Sequence, residues 1–432
     1  MAAPILAYLG EESSLDDDHG GIGWLTDNAH RFKALEVYIE HRFYGKSVPF
    51  VPSKDALKNA TLRGYFNSAQ ALADYAEILL HIKKNLSAEM SPTIVVGASY
   101  GGMLVAWFRL KYPDIALGAV ASSAPILYFD NITPSNAFYD LVSKDFREAS
   151  ESCYKTIKQS WLKSIKPLLK KNGLTFLSKK FKTCKPLKDV SELKDYLESM
   201  YTSAAQYDDP QEYPVNKACN GIDGASEGTD TLGRIFSGIV ALRGESSCYD
   251  TCSEMVSPIK IGKNDTTFQA NPFNPTESMD SCNKSYGVVP RPHWITTYCS
   301  GHDIRMVLNR FGSNIIFSNG LRNPYSSAGY LFNYISFFFF FFFWGGGGVC
   351  GVLEDISNSI IVVTTRNGSY CLDIQPETED DPKWVVVQRK IEVDVVHDWI
   401  LKYFADLLQN QSIRLICDYK ISFFFFFFSS SF

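Results

Sequence analysis

From Thr93 the chain reads Thr-Ile-Val-Val-Gly-Ala-Ser-Tyr-Gly-Gly, and few stretches of ten residues restrict a fold so tightly. The opening run is rich in β-branched residues and suits a short buried strand. Gly97-Ala98-Ser99-Tyr100-Gly101 then satisfies G-x-S-x-G, and Met103 to Leu110 reads as a helix. A strand that feeds a helix through this pentapeptide is a nucleophile elbow, in which small residues let a strained turn lift a serine hydroxyl above a sheet. Ser99 is therefore the candidate nucleophile. The competing reading, a glycine-rich turn with an incidental serine, leaves the strand before it and the helix after it unexplained.

The flanking sequence repeats the alternation. Pro4 to Gly10 and Ala34 to Ile39 are short apolar runs that read as buried strands. From Ser68 to Leu86, Ala69, Leu72, Ala73, Ala76, Leu79 and Leu80 recur on one helical face. Gly118 to Ile126 is a further strand of small residues. Strand, helix, strand, helix, strand predicts a parallel sheet covered on both faces. Past Asp130 the texture changes: Phe138 to Phe181 and Val190 to Ala205 are rich in Lys and Glu at helical spacing, and Cys153, Cys184, Cys219, Cys248, Cys252 and Cys282 all precede Pro290. That pattern predicts a helical insert stapled by disulfides whose pairing the sequence leaves open. A separate domain would end the α/β pattern, but it resumes. Ser313 to Phe317 reads as a strand ending at Ser318-Asn319-Gly320, Ser359 to Thr365 as another, and Trp384 to Leu408 as a closing amphipathic helix.

The expected organisation is a core over 1–129, a disulfide-containing helical cap over 130–290, the rest of the core over 291–410, and an aberrant tail over 411–432. Tyr330 to Cys350 does not fit it: seven consecutive phenylalanines, a tryptophan and four glycines interrupt the core. Its length approaches that of a membrane span, but Asn333 and the glycine run weaken that reading. Runs of Phe are what translated polypyrimidine tracts produce, so 330–350 reads as an intrusion, either retained intron sequence or a gene-model error. Phe423 to Phe428 repeats the oddity.

Charge excludes one class of partner. With 42 basic and 47 acidic residues mixed along 432, net −5, there is no basic stripe for nucleic acid. Ten cysteines, no zinc-type Cys pairs, and N-x-S/T sites at Asn59, Asn85, Asn131, Asn264, Asn283, Asn367 and Asn410 favour an oxidising, glycosylating compartment. The first residues, Met1 to Leu6, do not read as a signal peptide.

In this order the motifs resemble the serine carboxypeptidases that include the Pro-Xaa carboxypeptidases and their dipeptidyl-peptidase relatives, the plant-type members above all. The resemblance rests on Tyr8-Leu9-Gly10-Glu11-Glu12, Glu40-His41-Arg42-Phe43-Tyr44-Gly45, Gly97 to Gly102, Ala121 to Pro125, Pro290-Arg291-Pro292-His293-Trp294 and Phe311 to Gly320, and covers most of 4–408. It implies an α/β-hydrolase core with a helical cap, no cofactor or metal, and hydrolysis of peptides next to proline by a Ser…Asp…His triad in a vacuolar, lysosomal or secreted protein. It implies Ser99 as nucleophile and the Tyr100 amide as one oxyanion-hole donor, with a group near Gly10 to Glu12 as the other. Against that family the N-terminus reads as starting at an inner strand, so its signal peptide and first strands are expected to be missing.

Two positions depart from the family. Where it carries Asp before Pro, this chain has Asn323 before Pro324; where the plant-type pattern is Asn-Gly-Ser-His-Cys, it has Asn367-Gly368-Ser369-Tyr370-Cys371. Asn323 thus stands at the acid position and Tyr370 at the base position. A phenol of ordinary pKa about 10 does not take a serine proton near neutrality, and Asn in place of the acid alone costs about 10⁴-fold in rate. The expectation is a serine exopeptidase by descent, impaired in this chain; the alternatives are a silent peptide-binding relative and a non-functional misspliced product. Among possible replacement bases, His397 reads as a solvated helix position, His302 as a pocket residue retained beside intact triads, and His41 as part of a buried polar network.

Overall fold

The computed structural model describes residues 2–52, 55, 59–129, 132–165, 172–249, 266–269, 279–280, 284, 293–299, 303–329 and 360–428. Tyr330 to Cys350, His302 and the Pro290-Arg291-Pro292 part of its motif lie outside these residues.

Six strands form one parallel sheet: β1 (Ile5–Leu9), β2 (Leu35–Ile39), β3 (Thr93–Ala98), β4 (Gly118–Ser122), β5 (Ile315–Gly320) and β6 (Ile360–Thr365), in the spatial order β2-β1-β3-β4-β5-β6. The strands read as continuous apolar runs because both faces are covered. Along β1, Leu6 and Tyr8 belong to one buried cluster, while Ala7 and Leu9 belong to the other, the period of two that a pleated strand imposes. Helices α1 (Trp24–Phe32) and the terminal α11 (Lys383–Phe428) cover the first face through Trp24, Phe32, Val396 and Trp399. On the second face α2 (Ser68–Asn85), α3 (Ser99–Lys111) and α10 (Ile304–Phe311) contribute Leu72, Leu79, Trp107, Phe108 and Leu308. The sheet is the α/β-hydrolase type that the elbow predicts.

Between β4 and β5 the chain builds the helical cap, from α4 (Ala137–Ala149), α5 (Glu151–Ile165), α6 (Gly173–Lys180), α7 (Val190–Gln206), α8 (Pro214–Asp223) and α9 (Thr231–Arg243). Their inner faces make a third cluster around Phe146, Trp161, Tyr201 and Ile235. Disulfides Cys153–Cys219 and Cys184–Cys248 staple it. The second is flanked by backbone hydrogen bonds from Cys184 to Tyr249 and from Tyr249 to Lys182, at 2.9 and 2.8 Å. Because Cys153–Cys219 ties residues 66 apart, replacing both cysteines by serine is expected to destabilise the cap by about 2–4 kcal/mol, read as a lower denaturant midpoint of the oxidised protein.

Three expectations change. The predicted helical stretch from Phe138 is three helices, because Ser150 takes an extended backbone (φ −163°) between α4 and α5 and Asn172 a left-handed one (φ 68°) before α6. β5 does not end at Phe317 but carries Ser318-Asn319-Gly320 inside the strand, paired as far as Gly320 with Thr365. The last helix runs on through Phe428, into the stretch read as an aberrant tail. Among the described residues no helix is long and apolar enough to cross a membrane.

Candidate active site

β3 ends at Ala98 and α3 begins at Ser99 with no loop between them. Ser99 has φ of 50°, in the left-handed region where a non-glycine residue carries a strain of about 1–3 kcal/mol. The glycines around it are required by close approach. A Cβ on Gly97 would stand 2.4 Å from the Gly101 carbonyl oxygen, and one on Gly102 2.7 Å from that of Ser122. Neither obstacle is a side chain that could swing aside.

The Tyr100 amide lies in the first turn of α3, where helix geometry offers an N–H no carbonyl, and no side chain caps this helix. The next amide, of Gly101, donates to Glu11 Oε2 at 3.2 Å. Burial pushes the Glu11 carboxyl well above the usual range, Glu12 beside it adds to this, and the Gly101 N–H works against it. A neutral carboxyl at that point keeps negative charge away from the place where an oxyanion would develop. Nothing in the sequence beyond the Gly-Glu-Glu motif marked Glu11 for this contact.

Tyr370 sits in the turn after β6. Its hydroxyl faces Ser99, its amide donates to the Gln206 carbonyl of the cap at 3.2 Å, and its ring meets Tyr207 edge-on at 5.4 Å. Burial pushes the phenol well above its ordinary value, neighbouring Cys371 and Glu11 add to this, and the Ser99 hydroxyl only partly opposes them. The group on the nucleophile is thus one that holds its proton. Position 370 faces Ser99 with a phenol, whose chemistry is not that of an imidazole.

Asn323 is fully buried. Its Oδ1 accepts the Tyr325 amide at 3.0 Å and caps the short 3₁₀ turn Pro324–Ala328, while its Nδ2 has no hydrogen-bond partner. Leaving a buried donor unmet costs about 1–3 kcal/mol, a mark of a site shaped for an acceptor. The turns bearing Asn323 and Tyr370 adjoin through backbone bonds from Leu321 to Thr365 and from Arg322 to Gly368, both 2.9 Å.

Of the three candidate histidines, two lie among the described residues. His41 is buried, its Nδ1 2.7 Å from the Arg42 carbonyl and its Nε2 3.3 Å from the Tyr100 hydroxyl, and burial pushes its pKa down. It belongs to a buried polar network with Arg42 and Tyr100. His397 is exposed on α11, near Asp398 and stacked toward Phe32, the solvated position its sequence suggested.

A strand-to-helix elbow with Ser99 at its apex, in a six-stranded parallel sheet capped by helices, narrows the comparison with known proteins. The family model for serine carboxypeptidase S28 matches residues 1–243. This chain belongs to that family. The human lysosomal Pro-X carboxypeptidase is 31% identical over 433 residues, covering 93% of this chain and 82% of its own. The bovine protein of the same name is 32% identical over 438 residues with the same coverage. A solved proline iminopeptidase of Mycobacterium smegmatis superposes over 93% of this chain and 91% of its own at 10% identity and a TM-score of 0.34, too weak a likeness to bear on function.

Behind the S28 elbow lies a second acidic feature. Asp373 and Glu392 are both almost fully buried. Ser122 donates to Asp373 Oδ1 at 2.6 Å, Ser318 and Gln388 donate to Glu392 Oε1 at 2.9 and 3.3 Å, and the second oxygen of each carboxyl is unpartnered. Burial raises both, and Asp373 works further against the ionisation of Glu392. For acids so raised, the stability they contribute is complete below the unfolded-state value and is lost as pH rises above it. Glu392→Gln keeps an acceptor for Ser318 and removes the charge. It is expected to raise the melting temperature at pH 8 more than at pH 5, measured by thermal unfolding at both.

Proposed function

We propose that this chain is an S28-type cleft for proline-containing peptides in which hydrolysis is disabled at the acid and base positions. Family membership supports the substrate class, since the relatives are named for cleavage at proline. One observation carries the loss of turnover: the side chain that faces Ser99 from the base position is the buried phenol of Tyr370, whose pKa is pushed upward, and such a group does not accept the serine proton. Ser99 is the nucleophile by ancestry, Tyr100 supplies the oxyanion donor, and Asn323 and Tyr370 occupy the acid and base positions.

The core over 1–129 and 291–410 presents the elbow, and the cap over 130–290 closes the cleft from above. Two cap disulfides and the lysosomal naming of the relatives support residence in an oxidising, lysosome-like or secreted setting.

The test is calorimetric titration with short peptides carrying an internal proline, paired with chromatographic assay of the same mixtures. Saturable binding with the peptide recovered intact is the expected result. Cleavage beside proline at rates of an intact-triad peptidase would sink the silent reading, and failure of every such peptide to bind would sink the peptide-cleft reading.

A further inference from the structure

Arg322 leaves the core and enters the cap. It follows β5 and immediately precedes the acid position, and its amide is tied to the Gly368 carbonyl of the neighbouring turn at 2.9 Å. Its guanidinium makes an ion pair with Asp208, just beyond α7, and lies 6.0 Å from the ring of Tyr213 at the start of α8. Asp208 is fully buried and its Oδ1 accepts the Val215 amide at 3.1 Å. Asp145, on α4, is 1% exposed and neither of its carboxyl oxygens has a hydrogen-bond partner.

One buried carboxyl, Asp208, is therefore paired with the guanidinium, and a second, Asp145, sits on the helix that packs against the Pro324–Ala328 turn and feels the same positive charge. If both were ionised, the cap would hold an uncompensated charge with no hydrogen bond to disperse it, an expensive state in a poorly solvated setting. A proton on the unbonded partner, Asp145, removes that charge. We propose that Arg322, Asp208 and Asp145 form a proton-dependent joint by which the cap holds the turn carrying position 323, tight while Asp145 is neutral and loosened when it ionises. Arg322 is on this account a positioning residue, acting on the turn and not on substrate.

Burial is the largest influence on Asp145 and lifts its pKa from 3.8 to about 8. Arg322 from the core and Lys144 on its own helix oppose the rise, and Asp208 beyond α7 and Glu148 on its own helix add to it. With the folded value above the unfolded one, the joint's contribution is fully present below about pH 3.8 and is lost as pH rises through about 8.

Thermal unfolding of the full chain and of Asp145→Asn, each at pH 5 and pH 8, tests this. The amide keeps the shape and cannot ionise, so the variant is expected to gain on the unaltered protein by a few degrees more at pH 8 than at pH 5. Pairing the two curves cancels the pH response of Asp373, Glu392 and Glu11, which both proteins share. A melting-temperature difference equal at the two pH values would overturn the joint. Arg322→Met gives an independent reading, because it removes the cation that faces Asp145 from the core. Its melting temperature should fall more steeply between pH 5 and pH 8 than that of the unaltered chain, and a parallel fall would overturn the joint as well. Intrinsic-rate-corrected hydrogen exchange of amides 321–328 supplies the positional readout. Protection there should drop at pH 8 in the unaltered chain and persist in Asp145→Asn, and equal loss in both would contradict a role in holding the turn.

Discussion

The double replacement Asn323→Asp with Tyr370→His is expected to accelerate phosphonylation of Ser99 by a fluorophosphonate by about 10³-fold or more over the unaltered chain. On the proposed reading the elbow and the Tyr100 amide already stand in place, and burial holds the Glu11 carboxyl well above its usual range, so the missing component is a proton acceptor on Ser99 and an anion behind it. Position 370 already faces the nucleophile, which puts an imidazole there within reach. At position 323 an aspartate would keep the oxygen that accepts the Tyr325 amide at 3.0 Å and replace the unpartnered Nδ2 by an acceptor for the imidazole N–H.

The single variants separate the contributions. Tyr370→His alone faces an amide donor where it needs a carboxylate and should recover only a small part of the rate, as an incorrectly held tautomer does. Asn323→Asp alone should recover none and lower stability, because it buries a charge whose partner is absent. Measured second-order labelling constants for the four proteins decide the matter. A double variant no faster than the unaltered chain would mean that the two turns do not present these positions to Ser99.

Gly97→Ala is expected to lose the elbow altogether. Its Cβ would lie 2.4 and 2.6 Å from the carbonyl oxygen and carbon of Gly101, both backbone atoms of the first turn of α3, and relief requires moving the helix that carries Ser99. Around it Val95, Val96, Leu104 and Val105 are all fully buried, so such movement opens packing on both faces of the sheet. A cost of about 3–5 kcal/mol follows from forced overpacking at a strained turn. Chemical denaturation should show it as a drop in midpoint with little change in slope, and an unchanged midpoint would contradict the close approach.

How much of this was readable in advance depended on whether the cause was local. The elbow was legible because strand propensity, glycine placement and the helix after it all lie within about twenty residues. The neighbouring parallel strands were legible because burial on both faces leaves apolar runs. Strand β5 outlasted its predicted end because a partner decided it: Ser318-Asn319-Gly320 carries turn chemistry, yet pairing with β6 extends to Gly320 and Thr365. The break at Ser150 and the pairing of Cys153 with Cys219 depend on cap packing, which residue spacing does not encode.

The site divides in the same way. Ser99, Tyr100, Asn323 and Tyr370 stand in recognisable motifs. Glu11 on the Gly101 amide and Arg322 set between Tyr213 and Asp208 were not legible, since each is an ordinary charged residue until the fold supplies its neighbours.

The most direct measurement is the rate of fluorophosphonate labelling of Ser99 in the unaltered chain, located by mass spectrometry and followed from pH 4 to pH 9. With a proton-holding phenol on the nucleophile, labelling should stay near the background of an unactivated serine, with no inflection in the range where imidazole titrates. Labelling as fast as that of an intact-triad S28 peptidase, rising through an inflection near pH 6 to 7, would contradict the account.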